Sequence, residues 1–279
     1  MQRRFAQLDV FDSGPFTGNP LAVVLDAEGL TTDALHRITE WTTLSEATFL
    51  LPPTDPTADY RVRIFCPGRE LPFAGHPTLG SCRAWLDAGG SPKRDGVVVQ
   101  ECGAGLVEIR VDGDDLAFAS PPLIRSGPID PDLLAERVDQ LGIATTDVVD
   151  AAWIDNGPGW MGLLLASVDA VLAVVPPAQR IRNFDVGLVG LHSEGSDIDV
   201  EVRALFADAA GAIREDPVTG SLNASVGQWR LGSGRLSAPY VAAQGRCIGQ
   251  AGRITVDEHD DCIWVGGHTT VSISGTIDA

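Results

Sequence analysis

One stretch of this chain is written twice. Arg69-Glu70-Leu71-Pro72-Phe73-Ala74-Gly75-His76 returns as Arg214-Glu215-Asp216-Pro217-Val218-Thr219-Gly220-Ser221, with Arg, Glu, Pro and Gly in register. Each copy runs into a stretch with helical patterning, so the match marks a duplicated unit and predicts two halves of like build. The copies differ at two chemically loaded places, where Leu71 is matched by Asp216 and His76 by Ser221. Different polar groups at matched positions of a duplicated scaffold predict one asymmetric site shared by the two halves.

The 279 residues are enough for two domains of ordinary size, and 44% hydrophobic against 21% charged residues argues for real cores. A net charge of −18, from 38 acids against 20 bases, argues against a nucleic-acid or anionic-membrane partner. No apolar run is long enough to span a bilayer, and Met1-Gln2-Arg3-Arg4-Phe5 continues into alternating sequence instead of an apolar signal core. A cytoplasmic location is the expectation. The five cysteines, Cys66, Cys82, Cys102, Cys247 and Cys262, show no C-x-x-C pair and no histidines at zinc-ligand spacing, so no metal site is expected.

Strand-like alternation marks Ala6, Leu8 and Val10, then Tyr60, Val62 and Ile64, and then Val107, Ile109 and Val111. Later candidates are Leu163 to Leu165, Val200 with Val202, Ile254 with Val256, and Val271 with Ile273. Helices are fewer. One is predicted from about Thr32 to Thr42 with Ala34, Ile38 and Trp41 on one face, and another from Asp130, with Pro131 in its first turn, to just before Gly142. Ser120-Pro121-Pro122 is the best boundary, dividing the chain into repeat domains 1–120 and 121–279, with the last strand free to cross back.

In the two repeat helices, Pro77 suits the first helical position and makes His76 the N-cap, and Ser221 takes that place in the second copy. Leu79, Cys82 and Leu86 form the buried stripe of the first, which stops at Gly89; Leu222, Val226 and Trp229 form that of the second, which stops at Gly232. Two such N-termini facing one cleft would offer N–H groups and partial positive charge to an anion, a carboxylate for example. Glu46, set before Phe49-Leu50-Leu51, has surroundings that would raise a carboxyl pKa toward neutrality. Other readings stand beside these. Any single glutamate is more often solvated than catalytic, His76 serves equally as a core histidine, and Asp216 before a proline is a common turn residue. Ser221 caps well whether or not anything binds it, and Asn19 before Pro20 is a turn residue as readily as a ligand. Glu70 and Glu215, present in both copies, read as shared scaffold.

Four motifs in order along nearly the whole chain carry a resemblance. Val10-Phe11 through Phe16-Thr17-Gly18-Asn19-Pro20-Leu21-Ala22-Val23-Val24, Leu44-Ser45-Glu46-Ala47-Thr48-Phe49, Arg69 to Thr78, and Glu215 to Ser221 together resemble the PhzF-like phenazine-biosynthesis isomerases of the diaminopimelate-epimerase superfamily. The resemblance implies two similar α/β (α+β) domains, each a mostly antiparallel sheet wrapped around a central helix, with the active site in the cleft between them. It also implies chemistry without a cofactor, a small anionic metabolite as ligand, and a homodimer. Carried over, the catalytic carboxylate is Glu46, its polar partners are His76 and Asp216, and the substrate-binding positions are Gly75, Gly220, Ser221, Asn19 and Ser45. Two-thiol epimerases of the superfamily place a cysteine before the glycine of each repeat. Here Ala74 and Thr219 stand there, and neither exchanges a proton with carbon at neutral pH.

The expected function is therefore a proton shift along a small unsaturated carboxylic acid, with Glu46 as general acid and base. Alternatives are an epimerase or racemase of a small carboxylic or amino acid, and a metabolite-binding protein without catalysis. Ala209-Ala210-Gly211-Ala212-Ile213 and Leu222-Asn223-Ala224-Ser225 are the stretches where variation would change specificity.

Overall fold

A computed structural model describes residues 1–208, 210–234 and 236–279. Ala209, in a stretch expected to bear on specificity, lies outside them. The chain divides into two compact units, Met1–Ala119 with Gly266–Ala279, and Ser120–Val265.

In the first unit the order is β1 (Gln2–Val10), β2 (Asn19–Val24), α1 (Thr32–Thr42), β3 (Ala47–Leu51), β4 (Tyr60–Cys66), β5 (Arg69–Leu71), α2 (Gly75–Asp87), β6 (Val97–Cys102), β7 (Gly105–Asp112) and β8 (Asp115–Ala119). The second unit continues with β9 (Arg125–Gly127), α3 (Pro131–Gln140), β10 (Val148–Asp155), β11 (Met161–Leu165), α4 (Val168–Ala173), β12 (Asp185–Leu191), β13 (Val200–Ala207), β14 (Ile213–Asp216), α5 (Gly220–Gly232), β15 (Tyr240–Gln244) and β16 (Gly252–His259). The long β17 (Cys262–Asp278) begins in the second unit and finishes in the first.

The first unit's sheet closes on itself. β1 pairs antiparallel with β2, β2 parallel with β3, β3 antiparallel with β4, β4 parallel with β6, and β6–β7–β8 continue antiparallel until β17 joins β8 back to β1. A closed ring leaves no free edge, and its interior here is filled by a helix instead of by strand side chains alone. α2 is buried all round from Gly75 to Ala84, which explains its weak one-sided patterning. Polar residues on it are satisfied inside: Ser81 Oγ donates to Thr48 Oγ1 at 2.9 Å, and Gln100 Nε2 donates to Thr78 Oγ1 at 3.0 Å. Gly80 lets helix and strand meet, because a Cβ there would sit 2.5 Å from Leu21 Cδ2. On the other face of β3 and β4, Phe49 and Phe65 pack with Leu35 of α1.

The second unit repeats this plan strand for strand. β10 is antiparallel to β11, β11 parallel to β12, β12 antiparallel to β13, β13 parallel to β15 and β15 antiparallel to β16, with β14 on β13 as β5 is on β4. α5 takes the place of α2 and α4 that of α1, and Val171 of α4 packs on Leu163, Val186 and Leu205 as Leu35 packs in the first unit. The two units are thus mixed, barrel-like sheets with few helices, built alike as the repeated motif predicts.

Several local expectations are corrected. The N-caps are Ala74 and Thr219, not His76 and Ser221, because Thr78 N donates to Ala74 O and Asn223 N to Thr219 O, each at 3.1 Å, closing the first turns two residues earlier. Neither cap residue makes a side-chain capping bond. α5 runs through Gly232, and the left-handed residue after it is Gly234. α1 has the predicted ends, with Thr31 capping Ala34 N, but it buries Leu35 and Thr39 while Trp41 is 80% exposed. α3 starts on the Asp130 cap with Pro131 at its first position, as its sequence dictates.

Candidate active site

The first unit gathers Ser45, Glu46, Asn19 and His76. A tight loop delivers Asn19 to the start of β2. Buried Asp9 at the end of β1 accepts from Thr17 N at 2.9 Å and Gly18 N at 2.8 Å, and Phe11 turns the chain with φ 62 while fully buried. Burial pushes the Asp9 carboxyl above the usual carboxylate range, against the pull of those N–H groups. Glu46 and Ser45 come from the turn between the left-handed Thr43 that ends α1 and the first residue of β3. His76 is the second residue of α2, and Gly75 the first.

These side chains form one line of contacts. Ser45 Oγ donates to Asn19 Oδ1 at 3.4 Å, Asn19 Nδ2 lies 3.3 Å from His76 Nδ1, and His76 Nε2 lies 3.4 Å from Glu46 Oε2. Asn19 turns its amide NH₂ toward the ring, so Nδ1 is the acceptor and Nε2 carries the proton toward Glu46. His76 is 5% exposed, and burial pushes its pKa down to about 3. The His76–Glu46 separation is within ion-pair distance, yet burial keeps the ring neutral at physiological pH. The contact is a neutral N–H pointing at a carboxylate whose side chain is 18% exposed. At 3.4 Å the contact is loose, as catalytic contacts often are before a ligand tightens them.

The second unit carries Asp216 at the end of β14 and Gly220 and Ser221 at the start of α5. Ser221 does not cap its helix. Its Oγ accepts from Trp160 Nε1 at 3.1 Å, and its carbonyl accepts from Asn156 Nδ2 at 2.9 Å. Asp216 Oδ2 accepts from Thr219 Oγ1 at 2.5 Å, and Gln244 binds both residues from β15. Gln244 and Asp9 are the site residues that spacing did not disclose. One further group in the first unit went unread: buried Asp12, whose two oxygens meet His268 Nδ1 and Thr270 Oγ1, each at 3.0 Å. Among the described residues, no group of three or more His, Cys, Asp or Glu could hold a metal ion, and no helix is long and apolar enough to cross a membrane.

Residues 8–276 match the family model described as phenazine biosynthesis-like protein. A Schizosaccharomyces pombe protein named antisense-enhancing sequence 1 is 35% identical over 98% of each chain. A trans-2,3-dihydro-3-hydroxyanthranilate isomerase of Pseudomonas fluorescens is 34% identical over 77% of this chain and 74% of its own. A solved structure described as a predicted epimerase from Pseudomonas aeruginosa superposes with a TM-score of 0.82 at 26% identity, covering 99% of each chain. The chain belongs to the phenazine biosynthesis-like family, and it is an isomerase of that family.

Proposed function

We propose that this isomerase moves a proton between carbons of a small unsaturated carboxylic acid without a cofactor, with Glu46 as general acid and base. The observation that carries the reading is the neutral, buried His76 aimed at Glu46 Oε2. A protonated histidine would hold the carboxylate in a salt bridge and weaken it as a base. A neutral N–H orients Glu46 at lower cost to its basicity, and Asn19 and Ser45 fix the ring. Burial and the preorganised first turn of α2 then stabilise charge as it develops on the substrate. Asp216 serves as the further polar group of the reaction, and Gly75, Gly220 and Ser221 bind the substrate. The working protein is proposed to be a homodimer.

The relative named for trans-2,3-dihydro-3-hydroxyanthranilate makes that compound the first probe, alongside a panel of small unsaturated carboxylic acids. Deuterium entry from D2O, followed by mass spectrometry and NMR, identifies the substrate and the carbons that exchange. On it, Glu46→Gln should lower the exchange rate by roughly two to four orders of magnitude with folding nearly unchanged. Full exchange by that variant would remove Glu46 from the mechanism. Exchange with inversion at one carbon, and no shift of a double bond, would make the enzyme an epimerase, which the likeness to the epimerase structure favours as the second reading.

A further inference from the structure

Two matched positions, three residues apart, change from apolar in the first unit to polar in the second: Leu71 and Ala74 are replaced by Asp216 and Thr219. We propose that Thr219, held by Gln244, is a positioning residue that presents Asp216 as a carboxylate, so that Asp216 enters the reaction as a proton acceptor. The inference rests on the reading above that gives Asp216 a part in the reaction.

Counting donors and acceptors fixes each proton. Gln244 is 1% exposed. One end of its amide meets two N–H donors, Thr219 N at 3.1 Å and Asn223 Nδ2 at 2.9 Å, so that end is the carbonyl oxygen. The other end is the NH₂, which donates to Thr219 Oγ1 at 2.9 Å and to the Asp216 carbonyl at 3.1 Å. The Thr219 hydroxyl therefore already accepts, and its single proton goes to Asp216 Oδ2. A carboxyl group that receives a hydrogen bond at that oxygen is favoured in its ionised form. Asn223 is locked by the same network, since its Nδ2 also donates to Thr219 O at 3.0 Å.

The use of Thr219 is informative. A threonine at an N-cap ordinarily accepts from an N–H of the first turn, a bond worth about 1 kcal/mol. Thr219 caps α5 and makes no such bond. Its hydroxyl is committed to Asp216 instead. The first unit, with Leu71 and Ala74, has neither the acid nor the donor.

The test is a carboxyl titration of the full chain labelled with ¹³C-carboxyl aspartate, the Asp216 signal being identified by its loss in Asp216→Asn. Thr219→Val keeps the shape and removes the donor, whereas Thr219→Ser keeps the hydroxyl. The Asp216 midpoint should lie about one unit higher in Thr219→Val than in the parent, while Thr219→Ser stays within a few tenths. Arg214 and Glu215 on β14, Arg203 on β13 and Arg253 on β16 are unchanged in both variants, so their charges cancel in the comparison. Should Thr219→Val fail to fold, Thr219→Ala also removes the donor without adding charge and should raise the same midpoint. A valine or alanine variant whose midpoint equals that of the serine variant would overturn the proposal. On the substrate found by deuterium exchange, Thr219→Val should lower kcat at least tenfold with KM within twofold, and Thr219→Ser should restore it. The titration needs no substrate. A midpoint that moves as expected while Asp216→Asn leaves exchange intact upholds the positioning and refutes the catalytic part given to Asp216.

Discussion

At the scale of single residues, His76 makes a definite contribution to acid sensitivity. Its folded pKa, pushed by burial to about 3, lies below the 6.5 of an exposed histidine. The unfolded chain therefore binds one more proton than the native state between those values, and stability falls as pH drops through that window. Between pH 7 and pH 4 the loss from this residue is about 3 kcal/mol. Urea titrations at the two pH values should show His76→Gln losing less stability than the parent by about that amount; equal losses would mean the ring is charged in the folded protein. Glu46, His76 and Asp216 stood out in the sequence because each sits in one of the dense motifs that carry the family resemblance, and their part in the reaction is the proposal made above. Their supports did not stand out. Gln244 is 25 positions from Thr219, and Asn19 is 57 from His76, so only the closed sheet brings them together. Asp9 lies between the apolar Leu8 and Val10 of an alternating strand, a position that suggests an outward polar residue, yet it is buried and ties down the loop that delivers Asn19.

Among the elements, the duplicated Arg–Glu pairs show how one motif acquires two energies. Glu70 of β5 meets Arg63 of β4, and Glu215 of β14 meets Arg203 of β13, at distances of 2.6 and 2.7 Å. The first pair is 28% and 40% exposed, whereas the second is 2% and 3% exposed, and Arg203 also donates to Val171 O and Val174 O at the end of α4. Glu215→Ala strands a buried guanidinium and should cost about 3–5 kcal/mol, whereas Glu70→Ala should cost under about 1 kcal/mol. Chemical denaturation of the two variants checks the difference, and equal costs would show that burial does not set it. The scaffold role of both glutamates was readable from their repetition, but the inequality was not, because it depends on what covers each sheet. For the same reason the α1 face was only partly legible: Ile38 does pack beside the aromatic pair Phe49 and Phe65, but Leu35 is the residue buried there and Trp41 is exposed.

For the whole molecule, the duplication announced the architecture, and the pairing of parallel and antiparallel strands repeats accordingly. What remained hidden was the ring closure, since alternation at Val271 and Ile273 marks a strand without naming its neighbours. β17 runs against β1 from Gln2–Asp278 to Val10–Thr269, with one bulge between Gln7 and Leu8. A chain ending at Val265 should therefore lose hydrogen-exchange protection throughout Met1–Ala119 while Ser120–Val265 keeps most of its own; undiminished protection of β1 and β8 would show that the ring does not need its last strand. The same feature gives the protein an order of birth. Its second unit is one uninterrupted segment, complete in sequence once Val265 has been made, whereas the first must wait for Gly266–Ala279. At translation rates of about 5–20 residues per second, the first-made half stays unfinished for roughly ten to thirty seconds while the later half is synthesised and folds. The unit that holds Glu46 and His76 is thus begun before Ser120–Val265 and closed after it, because the strand that completes its sheet is made later than the whole second unit.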